Sequence, residues 1–357
     1  MHKLFTSSFD ASIYLQQPDQ NAGRDELLEV GKLYYGDTKD IARALVKFNT
    51  NSISASISNG EITGSWKAYL NLKSAGSEEI PLEYTIYANA VSQSWSMGTG
   101  TKFDNVTSDG VSWKYKNGID KWQDNTTAGT AVFTAGTTGS ANAEGGTWYT
   151  GSEASQSYSY ELDDVRMDVT GIVGMWMNGS LPNNGFIIRH GLSNEQDSLD
   201  YGVLKFFSKE THTIYEPKLE IVWDDSTFTT GSLSVIPEEN FKVVYSNLKP
   251  KYSRDSRVKI RIKGRELYPL RTFSATFNYD DTNYLPSTSY YQLEDYITGE
   301  IIFPFGEYTK ISCDEVGNFF IMNLNSLPFN RTYILKTKIS QGGIDYIIDD
   351  KSMFEIV

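Results

Sequence analysis

Asp10–Lys32 reads DASIYLQQPDQNAGRDELLEVGK, and Arg43–Phe48, after a short loop, reads RALVKF. The first part opens extended, with Ala11, Ile13 and Leu15 on alternate positions. Pro18, Asn21 and Gly23 then mark a turn. Leu27, Leu28 and Val30 mark a second strand, and Ala44–Phe48 a third with apolar residues on alternate positions. Period-two alternation bounded by Pro, Asn and Gly is the pattern of half-buried strands in a β-sandwich.

The same pattern continues outward from this stretch. Strand-like runs recur at Trp66–Leu72, Leu82–Ala88, Gly185–Arg189, Leu204–Ser208 and Leu219–Trp223. The run from Asn125 to Ser159 is dominated by Thr, Gly, Ser and Ala and reads as a long surface excursion. One helix is predicted in the first half, over Asp168–Asn178. Asp168 or Thr170 would cap it, Ile172, Val173 and Trp176 would face the core, and Gly179 would stop it.

A chain of 357 residues exceeds one small core. The polar run Asp224–Ser232 follows a closing strand and reads as a linker. The expectation is therefore an all-β protein of two tandem antiparallel β-sandwich domains, jelly-roll-like or Ig-like, with very little helix. Residues 1–226 would form the first and 227–357 the second. Leu327–Tyr333 reads either as the turn of a tyrosine corner, where a Tyr hydroxyl ties a crossover to backbone, or as an ordinary turn.

The ordered set Asp10–Tyr14, the Pro18/Asn21/Gly23 turn, Leu28–Gly31 and Arg43–Phe48 continues into Gly110–Trp113 and Gly145–Trp148. It ends with Asp168–Thr170, Trp176, Gly179, Gly185–Ile188, Phe206–Glu210 and Pro217–Leu219. This set resembles the DNRLRE, or disaggregatase-related, β-sandwich domain over about residues 4–224. With Asn247–Pro250, Tyr268–Phe273 and Tyr284–Tyr291, the whole chain is similar to structural proteins of contractile-tailed, T-even-like phages of marine cyanobacteria. The resemblance implies a virion component of tail, neck or baseplate, made in the host cytoplasm. It would contact other virion proteins and copies of itself.

Charge and motifs bear on the function classes. The net charge of −13 disfavours nucleic acid as the main partner, because phosphate neutralisation needs a basic footprint. A single cysteine, Cys313, rules out an internal disulfide framework and has no local nucleophile signature. The start MHKLFTSSFD lacks the apolar core of a secretory signal, and no run approaches 18 apolar residues, so no membrane span is expected.

His2, His190 and His212 are the three histidines, and no two stand at i,i+4. GxSxG and GxxxxGK are absent as well. The acidic pairs Asp163–Asp164, Asp224–Asp225, Asp280–Asp281 and Asp349–Asp350 lack EF-hand spacing and read as solvated turns. No catalytic residue, cofactor or metal is assigned, and no enzymatic activity is expected.

The sharpest feature is Arg257, Lys259, Arg261, Lys263 and Arg265, with Val258, Ile260 and Ile262 between them. On a strand this gives one cationic face and one core face. It reads either as an edge strand protected by charge or as a contact strip for an acidic partner. The alternative function is carbohydrate-binding adhesion, for which Trp66, Trp95, Trp113, Trp122 and Trp148 would form an aromatic platform unless they are core.

Overall fold

The opening stretch forms three antiparallel strands, β1 (His2–Tyr14), β2 (Leu27–Tyr35) and β3 (Thr38–Phe48). The structure is a computed structural model that describes residues 1–123, 132–134, 144–159, 164–268, 282–325 and 327–357. One edge of β3 pairs with β1, opposing Ala11 to Leu45 and Ile13 to Arg43. Its other edge pairs with β2 near Ile41 and, further along, with another strand at Ala44–Val46. A single strand thus belongs to three ladders.

The chain continues through α1 (Thr50–Ser58), β4 (Trp66–Leu72), β5 (Ser74–Glu78), β6 (Glu83–Val91), β7 (Val132–Thr134), β8 (Thr147–Ser159), β9 (Val165–Asp168), α2 (Thr170–Met177), β10 (Phe186–His190), α3 (Leu192–Gln196), β11 (Gly202–Phe207) and β12 (Lys218–Trp223). The sheet order is β7-β8-β6-β10-β3-β1-β12-β4-β9, with β2, β11 and β5 branching from β3.

The chain divides into two compact units. One holds Phe5–Glu61 and Lys67–Glu220; the other holds Ile221–Val357 together with Met1–Leu4 and Ile62–Trp66. The division falls at 220/221, not at 226/227, and the C-terminal unit is assembled from three segments. Leu4 packs into its core, and His2 stacks on Phe303 with centroids 4.6 Å apart. Asp224–Ser232 is not a free linker. Thr229 N–H donates to the Cys313 carbonyl at 3.0 Å and Cys313 N–H to the Thr227 carbonyl at 2.9 Å, so the run lies down as an extra strand-like segment.

In the N-terminal unit β3 departs from simple alternation. Ala44, Leu45 and Val46 are all fully buried. Leu45 faces a layer made by the loops after β6 and before β8, where Trp95, Val111, Trp113, Trp122 and Trp148 pack with Ile13 and Ile187. Four of the five tryptophans are therefore core, 6% exposed or less, and Trp66 is half-buried. They form no exposed sugar platform. Trp95 donates to the Asn184 carbonyl and Trp122 to the Ser112 carbonyl, so both indoles are satisfied inside.

The turn after β1 is locked to this layer. Asn21 accepts from Gly23 N–H at 3.3 Å and Gly100 N–H at 2.8 Å, and donates to the carbonyls of Met97 and Val111 at 2.7 Å. A Cβ on Gly23 would sit 2.0 Å from the Met97 carbonyl oxygen, so no other residue fits there.

Helix α2 lies within the predicted span, burying Ile172, Val173 and Trp176. The expected cap is corrected: Val169 takes the N-cap position with no side-chain cap bond, and Thr170 is the first helical residue. The Asp168 carboxylate, one place earlier, accepts from Thr170 N–H at 3.0 Å as an Asx turn leading into the helix. Helices α1 and α3 were not expected. Asn49 caps α1 by accepting from Asn51 N–H, and Ile53 is its buried anchor. Its Ser- and Asn-rich sequence has weak helix propensity and masked that signal. Strand β8 also corrects the surface excursion. Its Ser and Thr side chains still allow a backbone ladder to β6 from Glu83/Ser159 to Val91/Trp148. Residues 125–131 and 135–143 of that excursion lie outside the described residues.

The C-terminal unit is a two-sheet sandwich. Its strands are β13 (Phe241–Tyr245), β14 (Lys251–Tyr252), β15 (Arg257–Glu266), β16 (Ser289–Asp295), β17 (Ile301–Phe303), β18 (Ser312–Asp314), β19 (Gly317–Asn323), β20 (Arg331–Gln341) and β21 (Ile344–Ile356). One sheet runs β13-β15-β19-β18 and the other β14-β21-β20-β16-β17; only β14/β21 is parallel among these pairs. Ile260, Ile262, Phe320 and Met322 from one sheet meet Tyr291, Leu293, Leu335 and Phe354 from the other. Burying each such side chain contributes roughly 1.5–3 kcal/mol. Tyr333 is fully buried among them, and its hydroxyl has no hydrogen-bond partner among the described residues, so Leu327–Tyr333 is an ordinary turn into β20 and not a tyrosine corner.

Candidate functional site

The cationic run forms β15, and alternation sets its two faces. Ile260 and Ile262 are buried, and Val258 packs against the same core. Gly264 keeps the inward place where space runs out, since a Cβ there would lie 2.4 Å from Cγ2 of Ile236. Arg257, Lys259, Arg261, Lys263 and Arg265 point the other way, exposed or half-buried.

β15 is not an edge strand. It pairs with β19 from Arg257/Asn323 to Ile262/Asn318 and with β13 from Ile262/Tyr245 to Glu266/Phe241. Where β13 ends, Asn247 takes over, accepting from Arg261 N–H at 2.7 Å and donating to the Lys259 carbonyl at 2.9 Å. The charges therefore do not serve to protect an edge, which was the competing explanation.

Neighbouring strands enlarge the face. Directly opposed residues of an antiparallel pair share a face. Lys242 stands opposite Arg265 and Val244 opposite Lys263; Phe319 stands opposite Arg261 and Ile321 opposite Lys259. Six cations thus surround Val244, Phe319 and Ile321. Lys259 Nζ sits 3.6 Å from the Phe319 ring centroid and the Arg261 guanidinium 5.3 Å, a favourable cation–π arrangement. Lys242, Val244, Phe319 and Ile321 escaped the sequence reading because register alone places them here. The alternation in Asn318–Met322 was the available signal.

Asp314 answers two of these cations, Lys259 and Arg261, from within. Asp314 is gripped by Arg261 at 2.5 and 2.7 Å, and Lys259 approaches it at 3.3 Å. The Arg261 bonds hold its carboxyl well below the usual carboxylate range, with the Val316 N–H and Lys259 adding to the effect. Arg257, Lys263 and Lys242 have no side-chain partner among the described residues.

The Asp314 group has a testable sign. A carboxyl lowered in the folded state stabilises fully above its unfolded value of about 3.9 and loses that contribution as pH falls toward the folded value. The D314N variant should melt below wild type at pH 6, by the equivalent of about 1 kcal/mol or less because the pair is solvated. The gap should close progressively below about pH 4. Thermal melts from neutral pH into acid check this.

The other sequence candidates converge on no second site. His190 is fully buried and its imidazole is pushed down to about 4, mainly by burial and then by Lys32. His212 is exposed and lies 3.4 Å from Glu26. Cys313 is buried, and burial pushes its thiol up. Asp164 pairs with Lys73, Asp224 with Lys310 and Asp349 with Lys336, while Asp163, Asp280 and Asp281 lie outside the described residues. Among the described residues no group of three or more His, Cys, Asp or Glu is placed to hold a metal ion. No helix among them is long and apolar enough to cross a membrane.

No protein-family model matches this chain, and no curated protein matches it. Among solved structures, a DUF4785 family protein from Legionella pneumophila aligns at 8% identity with a TM-score of 0.20. The alignment covers 99% of this chain and 61% of that one. At that similarity the alignment supports no inference. The all-β, sandwich-type fold rests on the strand ladders described above.

Proposed function

We propose that this chain is a non-catalytic structural component of a contractile-tailed phage particle, working by protein–protein contact through the cationic face of its C-terminal sandwich. One observation carries the contact reading. Six cations share one sheet face with exposed Val244 and half-buried Phe319 and Ile321, and three of them, Arg257, Lys263 and Lys242, have no side-chain partner among the described residues, in a chain of net charge −13. Such a face gains little for its own fold, since exposed pairs contribute about 0–1 kcal/mol each. Complementary charge across an interface sets encounter rate and register. The resemblance to phage structural proteins supplies the particle context, and other virion proteins are the partners it implies.

The test uses the two cations of the strip that have no side-chain partner among the described residues. Reversing Arg257 and Lys263 to Glu should cut incorporation into particles by about tenfold, equivalent to 1.4 kcal/mol. Melting should stay within about 0.5 kcal/mol of wild type, as for surface changes generally. Normal incorporation of the double variant would overturn the reading. Retention of a labelled oligonucleotide by wild type, lost in the variant, would replace the protein partner with nucleic acid.

A further inference from the structure

Resting on the protein-contact reading above, the chemistry of the chain also specifies a partner for the cationic face. A matching surface needs uncompensated carboxylates around exposed apolar side chains. The N-terminal unit has one. At the end of the β2–β3 hairpin Tyr35 is 62% exposed, and Leu199, just before β11, is 61% exposed. Both lie among acidic groups.

The ladders bring these segments together. Tyr35 pairs with Thr38 across the hairpin turn that holds Asp37; Lys32 pairs with Gly202, and Val203 with Glu78 at the end of β5. The Asp200 carboxylate accepts from Tyr34 N–H. The Tyr35 hydroxyl is pushed up, first by desolvation and then by the negative charges of Glu79, Asp200, Asp40 and Glu78. Lys205 answers Glu78 at 2.5 Å, and the Lys39 ammonium is turned to the Gln196 carbonyl. Asp37, Glu79 and Asp200 have no cation at ion-pair distance among the described residues.

We propose that the cationic face of one copy docks on the Tyr35 tip of a second copy of this chain. Lys and Arg side chains around Val244, Phe319 and Ile321 meet carboxylates around Tyr35 and Leu199, so apolar centre meets apolar centre within a ring of opposite charges. The two surfaces are different patches. The contact is therefore heterologous, and it propagates into a ring or a filament where a two-fold contact would stop at a dimer.

Sedimentation velocity on the full chain tests this. Association beyond a dimer should grow with protein concentration at about 0.1 M salt and dissolve toward 1 M, as the Debye length falls from about 10 to 3 Å. The R257E/K263E variant and the E79K/D200K variant should each stay monomeric at concentrations where wild type assembles. Each should melt like wild type. Their equimolar mixture should regain association, because each variant's charges then complement the other's.

A mixture that stays monomeric overturns the inference, and so does wild-type association that stops at a dimer. Wild type monomeric at low salt, with R257E/K263E still excluded from particles, also overturns it. In that case the face meets a different acidic protein, and the protein-contact reading stands.

Discussion

Replacing Glu195 with alanine is expected to destabilise the protein by about 3–5 kcal/mol, because it leaves a buried guanidinium without its counter-charge. Arg43 sits at the middle of β3 and is 1% exposed; Glu195, from α3, is 3% exposed. They meet through two parallel bonds, Nε to Oε1 at 3.0 Å and Nη2 to Oε2 at 2.5 Å. The third bond of Arg43, to the Gly145 carbonyl at 2.6 Å, carries no charge. The Arg43 guanidinium carbon lies 4.8 Å from the Trp113 ring centroid and 5.2 Å from that of Trp148. Water therefore has little room to replace the carboxylate. Typical domains are stable by only about 5–15 kcal/mol, so the variant should lose a large share of its denaturation midpoint. Replacing both residues with methionine should recover most of the loss, since a well-packed apolar pair is often as stable as a buried ion pair. Urea titration followed by tryptophan fluorescence reads both. A loss below about 1 kcal/mol for E195A would mean that solvent reaches Arg43.

Asn21 is expected to matter nearly as much, although it carries no charge. Its amide ties the turn after β1 to three backbone groups in the segment that covers β3, and accepts from Gly23 N–H within the turn. Each buried group left unpaired costs about 1–3 kcal/mol, so N21A should lose at least about 3 kcal/mol. N21D separates hydrogen bonding from packing. It keeps the acceptor facing the Gly23 and Gly100 amides but turns an oxygen toward the Met97 and Val111 carbonyls. It should therefore be no better than alanine. Equilibrium denaturation and the rate of proteolytic nicking between Met97 and Trp122 give the check. Wild-type-like stability in N21D would show that the two carbonyls have other donors.

Fold class was legible from local pattern. Ala11 and Ile13 reappear as buried positions on β1, and Ile260 and Ile262 on β15, with Val258 half-buried against the same core. The apolar spacing of Ile172, Val173 and Trp176 reappears as the buried face of α2, whose N-cap position falls to Val169 rather than to Asp168 or Thr170. These readings held because strand and helix periods are properties of the backbone, and a few neighbouring residues express them. Two failures came from weak local signals. The Ser-rich α1 hides its cap and its one apolar anchor among poor helix formers, and the polar β8 is held by backbone ladder bonds that side-chain hydropathy does not report.

The sequence by itself determined which residues of β15 share a face, and that this face is cationic within an acidic chain. It also marked the strands and turns around Asp10–Phe48. Only the tertiary structure decided what covers each face. It placed β15 inside its sheet, brought Asp314, Phe319 and Lys242 to its cations, and buried both faces of β3. It settled as core four of the five tryptophans whose sequence reading favoured core over a sugar platform, and it paired Arg43 with Glu195 across 152 residues. The physical reason is one of range. Alternation fixes the direction of a side chain relative to its own backbone, while burial, pairing and charge compensation depend on strands and loops far away in sequence.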